Sequence, residues 1–253
     1  MLEILQVQMK SFKEKRKVRV YLPQSYNPYN KKQYPVIYMH DGQNVFRDSD
    51  AIGGVSLSLE EYLDHNKIHV IVVGIDQKPE ERINEYCPWI NGNYSEEVLG
   101  YKCNLGGKGE QYIDFITKEL KPLIDSRYNT IKENTSMVGI SLGGLISVYA
   151  ACKYPHIYKS VVGLSSAFWR NQEQIEDFIR RSDLSSISSL YLDWGDKEVE
   201  DEDISRKFSV SNERVATLLK EKVTNFKYSV IVDGEHNYTS FKNRVSQIIS
   251  CIN

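Results

Sequence analysis

The chain of 253 residues is poor in cysteine and proline and carries no surplus of either charge. Its cysteines, Cys87, Cys103, Cys152 and Cys251, are scattered. No two have C-x-x-C spacing, which argues against a zinc ribbon or a thioredoxin-type site. No secretory signal supports disulfides. Leu2, Ile4, Leu5 and Val7 precede the basic stretch Lys13 to Lys17, the reverse of a signal's order. Free thiols in a reducing cytoplasm are therefore expected. Lys and Arg total 32 against 34 Asp and Glu, so no basic excess marks a nucleic-acid binder. No apolar run approaches the roughly 20 residues of a membrane helix. With 15 glycines and 7 prolines, low complexity is also excluded. What is present is 41% hydrophobic and 26% charged, the profile of a globular fold. No linker or repeat divides it, so residues 1–253 read as a single domain.

Short apolar runs alternate with helical periodicity. Leu2 to Gln8 and Val18 to Leu22 read as two opening strands with no helix between them, hence an antiparallel edge. Val36 to Met39, Val70 to Val73, Met137 to Ile140, Val161 to Leu164, Leu190 to Leu192 and Tyr228 to Val232 read as further strands. Helical spacing falls at Leu57 to Leu63, Tyr112 to Ile124 (where Pro122 should end or kink the helix), Leu145 to Cys152, Ile175 to Ile179, Val210 to Leu219 and Val245 to Ile249. This order predicts an α/β fold with about eight strands, mostly parallel, and helices on both faces. From Asp76 to about Lys108 no period holds. That stretch carries Tyr86, Trp89, Tyr94 and Tyr101, and reads as a pocket wall. Only one short helix separates the Val161 strand from the Leu190 strand, so no large lid domain is expected.

Gly139-Ile140-Ser141-Leu142-Gly143 matches G-x-S-x-G between a strand and a helix. Such a turn is so tight that flanking side chains would clash, and it raises the serine Oγ above the sheet. The peptide N–H of Leu142, at the helix N-terminus, is one oxyanion donor. The loop after the third strand, His40 to Phe46, should supply the second, with the N–H of Gln43 favoured. His236 follows the last strand within Asp233-Gly-Glu-His-Asn237, as a general base should. The acid should follow the penultimate strand. Glu198 is the first choice and Asp196 the runner-up, with Asp193 still inside the strand. The run Glu198 to Asp203 weakens that signal, because acidic runs are usually solvated faces.

With these residues the chain resembles the putative-esterase (esterase D-like) family of α/β-hydrolases, which includes siderophore trilactone esterases and feruloyl esterases. The resemblance rests on Arg19 to Pro23, Tyr34 to Phe46, Arg82 to Trp89, Gly139 to Leu145, Ser165 to Trp169 and Gly234 to His236. It implies an α/β-hydrolase fold, with Ser141 as nucleophile, His236 as base and an acid at the position of Glu198. It further implies Asp41, Arg82 and Trp169 near the mouth of the site. The expected activity is a serine carboxylic-ester hydrolase acting through an acyl-enzyme on a small or medium soluble ester. It needs no metal or cofactor and has no nucleic-acid or membrane partner. An acyltransferase and a non-catalytic binding protein on the same fold are the alternatives.

Overall fold

The computed structural model describes residues 1–90 and 92–252. Eight strands form one sheet: β1 (Leu2–Met9), β2 (Glu14–Tyr21), β3 (Tyr34–His40), β4 (Ile71–Ile75), β5 (Thr130–Ile140), β6 (Tyr158–Leu164), β7 (Ser189–Gly195) and β8 (Phe226–Ile231). Their order across the sheet is β1-β2-β4-β3-β5-β6-β7-β8. The pairs β1–β2 and β2–β4 are antiparallel, and the others are parallel. The antiparallel edge is thus present, and β2 carries it onto β4.

Strand alternation divides the core in two. Val36, Tyr38, Met137, Val161 and Leu190 face one helical layer, while Ile37, Met39, Val138, Val162 and Tyr191 face the other. A side-chain period of two sends neighbours to opposite faces, so a strand covered on both sides must be apolar throughout. The first layer holds α4 (Gly109–Phe115), α5 (Lys121–Arg127), α6 (Leu142–Lys153), α7 (Gln172–Arg181) and α8 (Glu202–Lys222). The second holds α1 (Leu59–His65), α9 (Tyr238–Lys242) and α10 (Val245–Ser250). Between β6 and β7 the chain has one short turn and α7, with no cap domain among the described residues.

Three local features refine the expectations. Helical structure continues through Pro122 to Arg127. The turn Ile116–Leu120 widens, and the Lys121 N–H reaches back five residues to the Ile116 carbonyl. A proline ring lacks an N–H and crowds the carbonyl four residues earlier, so a wider turn before it lets the helix resume. Second, β5 begins seven residues before Met137, because its polar, partly exposed first half hides the pattern. Third, β8 ends at Ile231, and Val232 is 77% exposed.

The segment 76–108 contains α2 (Arg82–Tyr86) and α3 (Asn93–Leu99), both too short to display a period. It is tied down by charge. Arg16 on β2 grips Glu85 with two bonds of 2.8 and 2.7 Å, both side chains being buried. Removing one member leaves the other charged and unsolvated, whereas replacing both with apolar groups is often neutral. We expect Arg16→Met to lower unfolding stability by about 3–5 kcal/mol. The double variant Arg16→Met/Glu85→Leu should recover most of that loss in a denaturant titration.

Candidate active site

Ser141 occupies the turn between β5 and α6 with φ 60° and ψ −121°. A non-glycine residue pays strain for a positive φ, so the surroundings must hold it there. They do so through its backbone. Its N–H donates to the Leu164 carbonyl, and its own carbonyl accepts from the Ala167 N–H, both at 2.9 Å. A Cβ on Gly139 would lie 2.0 Å from the Gly143 carbonyl oxygen, so strand and helix can meet this closely only through glycine. The first helical bonds run from the Gly144 and Leu145 N–H groups to the Ser141 carbonyl. The N–H of Leu142 precedes them and has no place in the helix ladder.

The loop after β3 packs against this turn. A Cβ built on Gly143 would sit 3.3 Å from the His40 Cβ. Asp41, at φ 56°, leads into a tight turn over Gly42–Asn44 whose first bond is Asn44 N–H to the Asp41 carbonyl, at 2.8 Å. The Gln43 N–H therefore also precedes its own ladder. Arg82 donates to both Asp41 oxygens at 2.8 Å, and its guanidinium lies 5.1 Å from the ring centroid of the fully buried Tyr86. The Asp41 N–H donates to the Tyr86 hydroxyl at 3.1 Å. Asp41 and Arg82 are thus brought together, and the Arg82 charge is spent on Asp41.

Across the site, the loops after β7 and β8 touch where glycine permits it. A Cβ on Gly195 would meet the Gly234 carbonyl at 1.9 Å. His236 Nε2 lies 2.9 Å from Ser141 Oγ, and His236 Nδ1 lies 2.6 Å from Glu198 Oε2. The other Glu198 oxygen accepts from the Gly195 N–H at 2.5 Å and the Ser165 hydroxyl at 2.6 Å. Phe208 and Phe241 meet the imidazole edge-on, at centroid distances of 5.6 and 5.3 Å. Asp196 is exposed, its N–H continuing the sheet ladder to Ile231. Trp169 is half-buried in the turn Phe168–Asn171 with Arg170 stacked 4.5 Å from its ring centroid. Such a serine–imidazole–carboxylate series can take a proton from the hydroxyl and return it to a leaving group.

A cavity of about 620 Å³ opens beside His236, with Asp196, Glu200, Glu202 and Glu235 outnumbering Lys197 and Arg206 on its walls. Among the described residues, no disulfide joins the cysteines. Among the described residues, no group of three His, Cys, Asp or Glu side chains is placed to hold a metal ion. No helix among them is long and apolar enough to cross a membrane. Sequence reasoning overlooked Ser165, Asp193 as a buried anion, and Arg244. The first two lie inside stretches already singled out, whereas Arg244 has no local signal.

Sheet order, elbow and facing loops define a fold of α/β-hydrolase type. The chain belongs to the Putative esterase family, whose profile matches residues 9–250. Among relatives, the Bacillus subtilis protein YbbA is 30% identical over 211 residues, 82% of this chain and 79% of that one. The ferri-bacillibactin esterase BesA of the same organism is 25% identical over 168 residues, 64% of this chain and 57% of that one. The fold matches an IroE-like serine hydrolase from Shewanella oneidensis with TM-score 0.78 at 20% identity, covering 100% of this chain and 79% of that one. It also matches the siderophore hydrolase EstA from Aspergillus nidulans, with TM-score 0.75 at 17% identity, over 98% and 94% of the two chains.

His40 supplies a pH signature. It is buried beside Tyr112, whose hydroxyl is 3.0 Å from Nδ1, and burial pulls its pKa down to about 3. An unfolded histidine protonates near 6.5. Between those values the unfolded chain binds the extra proton, so stability falls as pH falls from about 6.5 toward 3. We expect His40→Phe to flatten that slope by up to about 1.4 kcal/mol per pH unit. Denaturant titrations at several pH values measure the difference.

Proposed function

We propose that the protein is a serine carboxylic-ester hydrolase that works through an acyl-enzyme. The observation that carries this reading is the unbroken series Ser141 Oγ, His236 Nε2, His236 Nδ1 and Glu198 Oε2 at 2.9 and 2.6 Å. His236 takes the Ser141 proton as the oxygen attacks the ester carbonyl, then delivers it to the leaving alcohol. Glu198 holds the ring with Nδ1–H toward itself, so Nε2 faces the serine. The tetrahedral oxyanion is received by the N–H groups of Leu142 and Gln43. Water then repeats the sequence on the acyl-enzyme and releases the acid. The His236 side chain is 28% exposed, and this access to water supports hydrolysis over transfer to another alcohol.

The substrate is a small or medium ester of the aryl or siderophore type, reached by family membership and by the open site. Asp41, Arg82 and Trp169 form its rim. Because Arg82 is paired with Asp41 and the adjoining cavity is acidic, a strongly anionic leaving group is disfavoured there. The continuous sheet supports reading residues 1–253 as one domain, and cysteines not joined in disulfides support a cytoplasmic location.

A fluorophosphonate probe should label the wild type and leave Ser141→Ala unlabelled; equal labelling of both would overturn the assignment. Glu198→Ala should lower kcat on a p-nitrophenyl ester by about 10³–10⁴-fold, while Asp196→Ala leaves it nearly unchanged. Short-chain and aryl esters should turn over faster than long-chain esters in the same assay.

A further inference from the structure

Behind Glu198 lies a second, fully buried layer of polar groups. Ser165 Oγ is 2.6 Å from Glu198 Oε1 on one side and 3.2 Å from Arg244 Nη1 on the other. Arg244 Nη1 also donates to Asp193 Oδ1 at 2.7 Å. The remaining guanidinium N–H groups donate to Ser240, Nε to its carbonyl and Nη2 to its hydroxyl, both at 3.2 Å. The Ser240 hydroxyl in turn accepts from the Glu235 N–H at 3.3 Å, next to His236. Arg244 and Asp193 expose almost nothing, and Ser165 nothing at all.

Hydrogen-bond chemistry fixes the direction of this chain. A guanidinium has donors and no acceptor, so Arg244 must donate to Ser165. The single Ser165 proton is then left to point at Glu198, which accepts it. We propose that Arg244 and Ser165 are positioning residues, which hold the Glu198 carboxylate against His236 and, through Ser240, hold the His236 loop against Glu198. Asp193 locks the guanidinium in place and offsets its charge. Burial pushes the Asp193 carboxyl up to about 6, with Arg244 pulling the other way. Two buried carboxylates and one cation leave one net negative charge, which the imidazolium formed during reaction neutralises.

This role rests on the serine-hydrolase reading, and the experiment separates the two. The rate of Ser141 labelling by a fluorophosphonate measures activation of the serine without a known substrate. Ser165→Ala should slow labelling about 10-fold, the scale of one lost hydrogen bond to a charged group, with its melting temperature close to wild type. Arg244→Met should slow it at least as much. In a Glu198→Ala background Ser165→Ala should not slow it further, because Ser165 acts through that carboxylate. On a p-nitrophenyl ester the loss should fall on kcat and leave KM unchanged. The downfield proton resonance of His236 Nδ1–H should move upfield in Ser165→Ala. Unchanged labelling in Ser165→Ala, or the same loss with and without Glu198, would overturn the proposal, even if Arg244→Met fails to fold. A wild type that does not label refutes the hydrolase reading instead. The Nδ1–H resonance still decides the positioning role in that case, since it needs no turnover: a shift in Ser165→Ala supports it and an unmoved resonance rejects it.

Discussion

The backbone of Ser141 is forced into a conformation that only close packing can hold, and the surrounding architecture follows from how it is held. Gly139 and Gly143 let β5 and α6 touch. The Ser141 N–H and carbonyl are then fastened to the chain after β6, at Leu164 and Ala167. The same stitching continues sideways. Ser165 N–H donates to the Asp193 carbonyl at 2.7 Å, and Asp196 N–H to the Ile231 carbonyl at 3.1 Å. The sheet's hydrogen bonding thus runs on past the formal strand ends, in the row where the polar side chains gather. A strained serine, the Ser165 hydroxyl behind Glu198, and the loops that carry Glu198 and His236 are positioned by one ladder.

Arginines paired with carboxylates bind the remaining loops to this frame. Arg16 holds Glu85, Arg82 holds Asp41, and Arg244 holds Asp193. Pairs of this kind contribute little net stability, because desolvation costs about as much as the attraction returns. The two-pronged contacts of Arg16 and Arg82 do specify position. Each pair here joins a segment near the site to a strand end, a helix or the adjoining loop. The charges near the site are therefore largely consumed in construction. The acidic surface beside His236 remains as the uncompensated field.

The two-sided sheet was legible because runs such as Val36 to Met39 in β3 and Val161 to Leu164 in β6 are apolar at every position. The turn around Ser141 was legible because its glycines are a steric requirement written into five consecutive residues. Chain order alone pointed to His236. The loop acid was not settled this way: Asp196 and Glu198 are two residues apart in an acidic run. Asp196 is kept on the sheet ladder with its side chain exposed, while the turn through Lys197 carries Glu198 inward to His236.

Periodicity and local sterics were therefore enough for the strand series, the strained serine and the class of fold, because these depend on near neighbours in the chain. They did not reveal how Pro122 is accommodated, by a widened turn before it. They were silent on Arg244, which lies 79 residues from Ser165 and 51 from Asp193 along the chain. Which carboxylate meets the imidazole, and what stands behind it, were decided by contacts between distant segments. Such contacts leave no repeat in a sequence, since each is made once, at the place where folded strand ends converge.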